Sequence, residues 1–127
     1  MHEQIYILKA NALNPILHAT PMESVVAVVY TTTDNMRNAK KIARALVEEK
    51  LVACVSIIPK VESIYWWKGK IEKGREYILL SKTTERQVKK TIQKIRELHT
   101  YELPDIIVLP IIGGLKEYLN YLVDETA

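Results

Sequence analysis

Several features that define specialised protein classes are missing from this sequence. Cys54 is the single cysteine among 127 residues, so no internal disulfide can form and a reducing, cytoplasmic location is expected. No run approaches the roughly 20 apolar residues of a transmembrane helix. The first residues lack a basic stretch, and polar residues interrupt the apolar ones, which argues against a secretory signal. We therefore expect no membrane partner.

Familiar catalytic and metal-binding motifs are absent as well. The sequence has no glycine-rich phosphate loop, no serine elbow and no nucleophile with a partnered base. It also lacks CxxC, HExxH and any histidine pair at helical spacing, which are the strong signatures of metal sites. We expect a protein that is not an enzyme and that carries no organic cofactor.

The composition is that of one globular domain. Hydrophobic residues make up 48% of the chain, enough to build a core without disulfides or structural metals. The net charge is +3, but basic and acidic residues alternate instead of forming blocks, so no nucleic-acid partner is expected. Residues 1–24 show no clean periodicity and end near a proline, which predicts an N-terminal extension preceding a domain over 25–127.

Residues 51–71, LVACVSIIPKVESIYWWKGKI, dominate the pattern. They are rich in β-branched and aromatic residues and predict extended structure. A straight strand of this length would span on the order of 65 Å, whereas a domain of about 100 residues has a radius of gyration of about 13 Å. The segment must therefore bend, for which Pro59 is suited, or reach out of the subunit. Trp66 and Trp67 should point to opposite faces, so we expect one indole to meet a second chain or a ligand.

The remaining patterns predict β-α-β-β-α-β followed by a C-terminal helix. This order corresponds to an α+β, ferredoxin-like sandwich with a four-stranded antiparallel sheet and both main helices on one side. The first helix should bury Ala39, Ile42, Ala43, Leu46 and Val47, and Thr84 with Gln87 should form a capping box. The predicted ranges are strands 25–30, 51–58, 61–72, 76–82 and 106–112, helices 35–50, 85–98 and 116–124, and a turn over 72–75 that uses Gly74.

Three of these strands are apolar at nearly every position, although the helices can cover one face of the sheet at most. Strands 25–30, 52–58 and 106–112 would expose a hydrophobic face in a lone subunit. We therefore expect the chain to associate with itself.

The residues best suited to chemistry are Cys54, His99, Tyr101 and Glu102. Sulfur, imidazole and carboxylate are metal ligands, and His99 and Glu102 are close along the chain, whereas Cys54 could join them only through the fold. Two other interpretations stay open. Cys54 can be a small core residue, and His99 can be a cation stabilised at a helix C-terminus.

The segments ACVSIIPKVESIYWWKGKIEKGREYILLSKT and HTYELPDIIVLPIIGG resemble the CutA family of divalent-cation tolerance proteins. The resemblance implies a homotrimer whose sheets are joined between subunits, and binding of copper or other divalent cations. It also implies likeness to trimeric nitrogen-regulatory proteins that bind small effectors between subunits. By position, Cys54 corresponds to the family's Ala-Cys motif, His99 and Tyr101 to its His-x-Tyr motif, and Trp67 and Lys82 to its central hairpin.

The sequence also departs from the family pattern. Lys60 stands where glycine commonly follows the proline, Thr100 replaces a proline, and Tyr121 replaces a tryptophan. None of these changes removes a candidate ligand.

These observations predict a trimeric protein of divalent-cation tolerance. Cu or Zn would bind Cys54, His99 and Glu102 near a cleft between subunits formed by Trp66, Trp67, Lys82 and Tyr101. Two alternatives remain: a signalling trimer whose cleft binds an anion or metabolite beside Lys82, and a structural scaffold with no ligand of its own.

Overall fold

The computed structural model describes residues 25–127, so the predicted N-terminal extension lies outside the described residues. Seven elements follow one another in the described part. They are β1 (Val26–Thr33), α1 (Met36–Glu48), β2 (Cys54–Trp67), β3 (Lys70–Thr84), α2 (Glu85–Leu98), β4 (Ile106–Pro110) and α3 (Lys116–Glu125).

The four strands form one sheet in the order β2-β3-β1-β4, and every neighbouring pair is antiparallel. The predicted α+β class, with a four-stranded antiparallel sheet and three helices, is confirmed. β1 is central and extends three residues beyond the predicted end at residue 30, while β4 ends at Pro110, two residues before the predicted end.

The main core lies between one face of the sheet and the two long helices. Side chains alternate across a strand, so Ala27 and Val29 of β1 share the face that packs on the helices. The helices contribute apolar stripes with a period of about 3.6 residues. The fully buried helical members of this cluster are Ala39, Ile42, Leu46, Val88 and Ile95.

Helix α1 has a clear N-terminal cap, but the core buries only part of its predicted apolar stripe. Its N-terminus is capped by the Asn35 side chain, whose Oδ1 accepts a hydrogen bond from the Asn38 N–H at 2.7 Å. The prediction that Val47 is buried is wrong, because the core is filled by the adjacent stripe and Val47 is 41% exposed. Ala43 is half-buried.

The predicted hairpin turn at Gly74 is wrong. The chain reverses at Lys68 and Gly69, both with positive φ (50° and 79°), and Trp67 pairs with Lys70. Two positive φ values in a two-residue loop are typical of a type I′ turn, whose twist matches that of paired strands. Gly74 instead lies inside β3, opposite Ser63.

The strand before the turn both bends and projects. The β2–β3 register shifts between Ile58 and Val61, where Pro59 and Lys60 form a bulge, and Lys60 has a φ of 56°. The prediction that the extended segment bends at Pro59 is therefore confirmed. The bulge shifts the pairing register, but β2 continues through it as a single strand from Cys54 to Trp67. Beyond the bulge, the hairpin exposes Ile64 and Trp66.

Helix α2 has the predicted ends, but the capping box is wrong. Thr84 is the N-cap residue without a side-chain cap bond. Its hydroxyl instead contacts the Thr126 hydroxyl at 3.2 Å, and Gln87 Nε2 donates to the Thr126 carbonyl at 2.9 Å. These hydrogen bonds join the end of α3 to the start of α2. The Thr84 and Gln87 side chains therefore make tertiary contacts instead of a capping box.

Helix α3 covers part of the sheet face that α1 and α2 leave open. Leu122 is fully buried, whereas Tyr118 is 38% exposed. The rest of this open face carries exposed apolar side chains, with Ile58, Ile107 and Leu109 each more than 40% exposed. Within residues 25–127, every helix is too short or too polar to cross a bilayer.

Candidate functional site

Cys54, Lys82 and Tyr118 meet on the open face where α3 crosses the sheet. Cys54 begins β2 and is the direct cross-strand partner of Lys82 in β3. Lys82 Nζ donates a hydrogen bond to Tyr118 Oη at 3.2 Å, and Cys54 Sγ lies 3.5 Å from the same oxygen. Because neighbours in a strand point to opposite faces, Cys54 faces away from the helical core that Val55 contacts. A thiol, an ammonium group and a phenol are thus grouped on an accessible surface.

The groups in this cluster shift one another's pKa values. The hydrogen bond to Tyr118 is the main reason why the pKa of Lys82 is raised above its ordinary value. Contact with Cys54 is the main cause that raises the pKa of Tyr118, and the neighbouring Lys82 opposes it. Lys82 therefore stays an ammonium group at neutral pH, and the phenol remains protonated and able to donate to sulfur.

His99 is held by two hydrogen bonds within its own chain. As the C-cap residue of α2, it places Nε2 2.6 Å from the Thr32 carbonyl, so Nε2 must carry the hydrogen. Nδ1 accepts a hydrogen bond from the Tyr101 N–H at 3.1 Å. Both ring nitrogens are thus engaged, and binding a metal would require breaking at least one of these bonds.

Tyr101 links the histidine to a buried carboxylate. Its ring lies 4.7 Å from that of His99, centroid to centroid, and its hydroxyl donates to Glu76 Oε2 at 2.9 Å. Burial, followed by the bond to Glu76, raises the pKa of Tyr101 well above its ordinary value. The phenol therefore remains a hydrogen-bond donor, and it fixes the loop after α2 against β3.

Glu102 lies on the surface, apart from the thiol. Its carboxylate is 3.7 Å from Lys68 Nζ at the hairpin turn, in an exposed ion pair, and its backbone carbonyl accepts from Arg96. Exposed pairs of this kind contribute about 0–1 kcal/mol, so the carboxylate is available to another partner at small cost.

The two tryptophans differ in exposure, as their alternation along β2 requires. Trp66 is 72% exposed and Trp67 is half-buried, with Lys68 Nζ 5.5 Å from its ring centroid. Trp66 pairs with Ile71, which is 60% exposed. One indole is thus left without cover in the subunit.

The predicted metal ligands do not converge within one chain. Among residues 25–127, no three His, Cys, Asp or Glu side chains are grouped so that they could hold a metal ion. His99 bonds to Thr32, which pairs with Ile78, whereas Cys54 pairs with Lys82 four residues further along β3. At about 3.3 Å per residue the two positions are separated by about 13 Å along the strand. The structure brings Cys54 to Lys82, and His99 to Tyr101, as two separate groups.

Sequence reasoning did not single out three residues that the structure places in these groups: Tyr118, Glu76 and Asp105. Asp105 keeps an exposed side chain, but partial burial and then the negative charge of Glu76 raise its pKa. Glu76 is the one charged residue among the buried positions of β3, which also include Leu79, Ser81, Thr83 and Thr84, and the sequence alone does not show this burial. No local pattern marks Tyr118, because its contacts come from α3 crossing a distant part of the sheet.

These observations define an α+β protein with one antiparallel sheet, covered by two helices on one face and partly open on the other. The family model described as CutA1 divalent ion tolerance protein matches residues 27–125, and the chain belongs to that family. The resemblance of the ACVSIIP and HTYELP segments to this family is therefore confirmed.

Individual relatives agree with this assignment. The chain is 43% identical over 105 residues to the divalent-cation tolerance protein CutA of Thermus thermophilus, covering 83% of this chain and 99% of the relative. It is 40% identical over 99 residues to the chloroplastic protein CutA 1 of rice. That match covers 78% of this chain but spans 56% of the rice protein's length.

Solved structures match at the level of the fold. The CutA1 structure from Thermus thermophilus superposes with a TM-score of 0.78 at 42% identity, covering 80% of this chain and 99% of the other. The CutA1 structure from rice gives a TM-score of 0.79 at 38% identity, covering 82% and 95%. The chain is thus a divalent-cation tolerance family protein.

Proposed function

We propose that this chain acts in divalent-cation tolerance as a cytoplasmic homotrimer of ferredoxin-like subunits that binds Cu or Zn in a cleft between subunits. The observation that best supports this is the position of Cys54. Its thiol lies on the open sheet face, beside the apolar surface that another copy would cover. The strand order β2-β3-β1-β4 supports the ferredoxin-like topology. The proposal involves no catalytic step, organic cofactor, nucleic acid or membrane.

Cys54, His99 and Glu102 are the proposed ligands. Thiolate and imidazole are ligands for Cu and Zn, and the carboxylate can complete the set. Because one chain does not gather them, the ligands must come from different copies, with Trp66, Trp67, Lys82 and Tyr101 around the cleft. His99 would bind the metal through Nδ1 after losing the hydrogen bond from the Tyr101 N–H, or through Nε2 after losing the hydrogen bond to the Thr32 carbonyl.

The cytoplasmic location rests on the lone cysteine. Relatives with other locations in their names exist, including the chloroplastic protein of Arabidopsis thaliana and a solved structure called periplasmic from Archaeoglobus fulgidus. Location therefore varies among the relatives and is proposed for this chain from its own thiol.

A second candidate has specific support. The two hydrogen bonds of His99 count against metal ligation, whereas the Lys82 ammonium lies on the open face beside Tyr118 and Cys54. A small anion or metabolite bound there would make the protein a signalling trimer in the manner of the nitrogen-regulatory proteins. A scaffold that assembles other proteins is the remaining alternative, and it predicts no ligand at either group.

Calorimetric titration of Zn²⁺ into the reduced full chain distinguishes these functions. We expect Cys54→Ser and His99→Ala each to weaken Zn²⁺ binding at least about tenfold, since each removes a ligand. Ser56→Ala, on the same face of β2 and exposed, is the control and should bind as the unmodified chain does.

Zn²⁺ affinity unchanged in both ligand variants would contradict the metal-binding function. Inorganic phosphate that binds the unmodified chain and is lost in Lys82→Gln would support the anion-binding alternative.

A further inference from the structure

An open groove of about 660 Å³ runs between α1 and the edge strand β2, on the helix-covered side of the sheet. Its floor is apolar and consists of Ala43, Val47, Val55 and Ile57. Val55 and Ile57 alternate with Cys54 and therefore point away from the open face. The groove is thus separate from the proposed metal cleft.

The charged residues that line the groove are all basic and all belong to α1. Four cations of α1 line it, at positions i, i+3, i+4 and i+7 of one helical stripe: Arg37, Lys40, Lys41 and Arg44. No carboxylate lies among the lining residues. Side chains at these spacings stand on the same side of a helix, so their charges act on the same space.

These cations have weak partners or none among the described residues. Arg44 Nε is 3.6 Å from Glu48 Oε1, in an i,i+4 pair whose side chains are 79% and 67% exposed. No described carboxylate forms an ion pair with Arg37, Lys40 or Lys41. An exposed pair contributes little, so an incoming anion can replace Glu48 at small cost.

The fold buries the floor only in part, since Ala43, Val55 and Ile57 are half-buried against the core. The core takes the stripe of Ala39, Ile42 and Leu46, while Val47 on the adjacent stripe stays 41% exposed. Basic side chains beside a partly exposed apolar floor fit a molecule with an acidic group and an apolar body. An inorganic anion would leave the floor unused, and a floor of four side chains is too small for a stable protein interface of about 800 Å² per partner.

We propose that this groove is a binding site for a small amphiphilic anion, a carboxylate or phosphate attached to an apolar body of a few carbons. The acidic group lies among Lys40, Lys41 and Arg44, and the apolar body lies on Val47, Val55 and Ile57. This site goes beyond the function proposed above and does not depend on it.

Octanoate is a suitable probe. Octanol, which has the apolar body without the charge, and inorganic phosphate, which has the charge without an apolar body, are the comparison compounds. Titration into the ¹⁵N-labelled full chain, followed by amide chemical shifts and calorimetry, should shift the signals of residues 43, 47, 55 and 57. We expect octanoate to bind more tightly than either counterpart, because each of these engages half of the site.

Two variants and one control complete the test. Lys40→Gln/Lys41→Gln should weaken octanoate binding about tenfold, since two exposed charges are removed. Lys89→Gln/Lys90→Gln, the same charge change on the exposed face of α2, should leave it unchanged. Val47→Ser should weaken octanoate and leave phosphate as it was.

The proposal is overturned by no octanoate binding, by equal loss in both lysine pairs, or by shifts confined to the open face at Leu80, Ile107 and Leu109. Circular dichroism of each variant verifies that a loss of binding is not a loss of fold.

Discussion

Three lysines adopt the left-handed backbone conformation that normally favours glycine. Lys50, Lys60 and Lys68 have φ values of 57°, 56° and 50°. In this region Cβ crowds the following carbonyl, at a cost of about 1–2 kcal/mol per residue. The strain at Lys60 could be predicted from the resemblance, because glycine is common there. That at Lys50 could not, since neither Gly nor Asn marks the end of α1.

Lys50 ends α1 in a Schellman arrangement. Its N–H donates to the Val47 carbonyl at 3.0 Å, and the Leu51 N–H donates to the Leu46 carbonyl at 3.0 Å. We expect Lys50→Gly to raise the free energy of unfolding by about 0.5–1 kcal/mol, because relief of strain exceeds the added entropy of the unfolded chain. Urea unfolding measures this change.

Lys50→Ala removes the same side-chain charge but keeps Cβ and so the strain. It should therefore unfold at the same urea concentration as the unmodified chain. Equal stabilisation by both variants would assign the effect to charge and contradict the backbone explanation.

A second feature at this scale is the pair of neighbouring carboxylates, Glu76 and Asp105. Glu76 is buried and bonded to Tyr101, and burial together with the Glu76 charge raises the pKa of Asp105. Because the folded-state pKa is raised, Asp105 favours folding when protonated, and this contribution is lost as pH rises through its folded pKa.

We expect Asp105→Asn to raise the melting temperature at pH 7, where the unmodified side chain is ionised at a cost. The gain should vanish as pH falls below the ordinary value of 3.8, where the folded and unfolded acids are both protonated. Melting curves across this pH range provide the measurement. Glu62→Gln, at an exposed position of β2, is the control, and a gain that persists at low pH would disagree with the electrostatic cause.

At the scale of elements, the helices were predictable and the hairpin was not. Regular apolar stripes fix α1 and α2, since a helix shows its period over many residues. The hairpin segment KGKIEKGR contains two Lys-Gly pairs, and either is compatible with a turn. The choice depends on register: a turn at Gly74 would separate Cys54 from Lys82, which the actual register pairs. Register follows from the hydrophobic pattern together with the turn, and two similar Lys-Gly pairs leave the position of the turn undecided.

Glycine substitutions test the position of this turn. We expect Gly69→Ala to lower the free energy of unfolding by about 1–2 kcal/mol, since its φ of 79° is strained for a residue with Cβ. No atom lies within 4 Å of the added Cβ, so the cost is conformational. Thermal or urea unfolding measures it.

Gly74→Ala is the matched control. The added Cβ would meet the Tyr65 hydroxyl at 3.9 Å, an ordinary contact, and the position lies within a strand. Little loss of stability is expected. The reverse order of the two variants would show that the chain turns at Gly74.

At the scale of the whole molecule, the sequence predicted a single functional site, whereas the structure has two separate groups, one at Cys54 and one at His99. Cys54, His99 and Glu102 are compatible ligand types. The sequence does not reveal, however, that Cys54 pairs with Lys82 while His99 bonds to Thr32, whose strand partner Ile78 lies four residues from Lys82 along β3. Tyr118 was missed for the same reason, since α3 reaches Cys54 across the sheet. The apolar open face, in contrast, was visible in the sequence because three strands lack the polar alternation of a solvated sheet. The surplus of apolar surface is therefore a firmer basis for prediction than the ligand set.

The proposed trimer makes this surplus testable. We expect light scattering to give about three times the subunit mass for the unmodified chain, and about one subunit mass for Leu109→Glu, which places a charge on the open face. Val47→Glu is a closely matched control, since Val47 is 41% and Leu109 43% exposed, but Val47 lies on the helix-covered side. It should remain trimeric. A single subunit mass for the unmodified chain would mean that the open face meets solvent and that Cys54 gains no ligand from another copy.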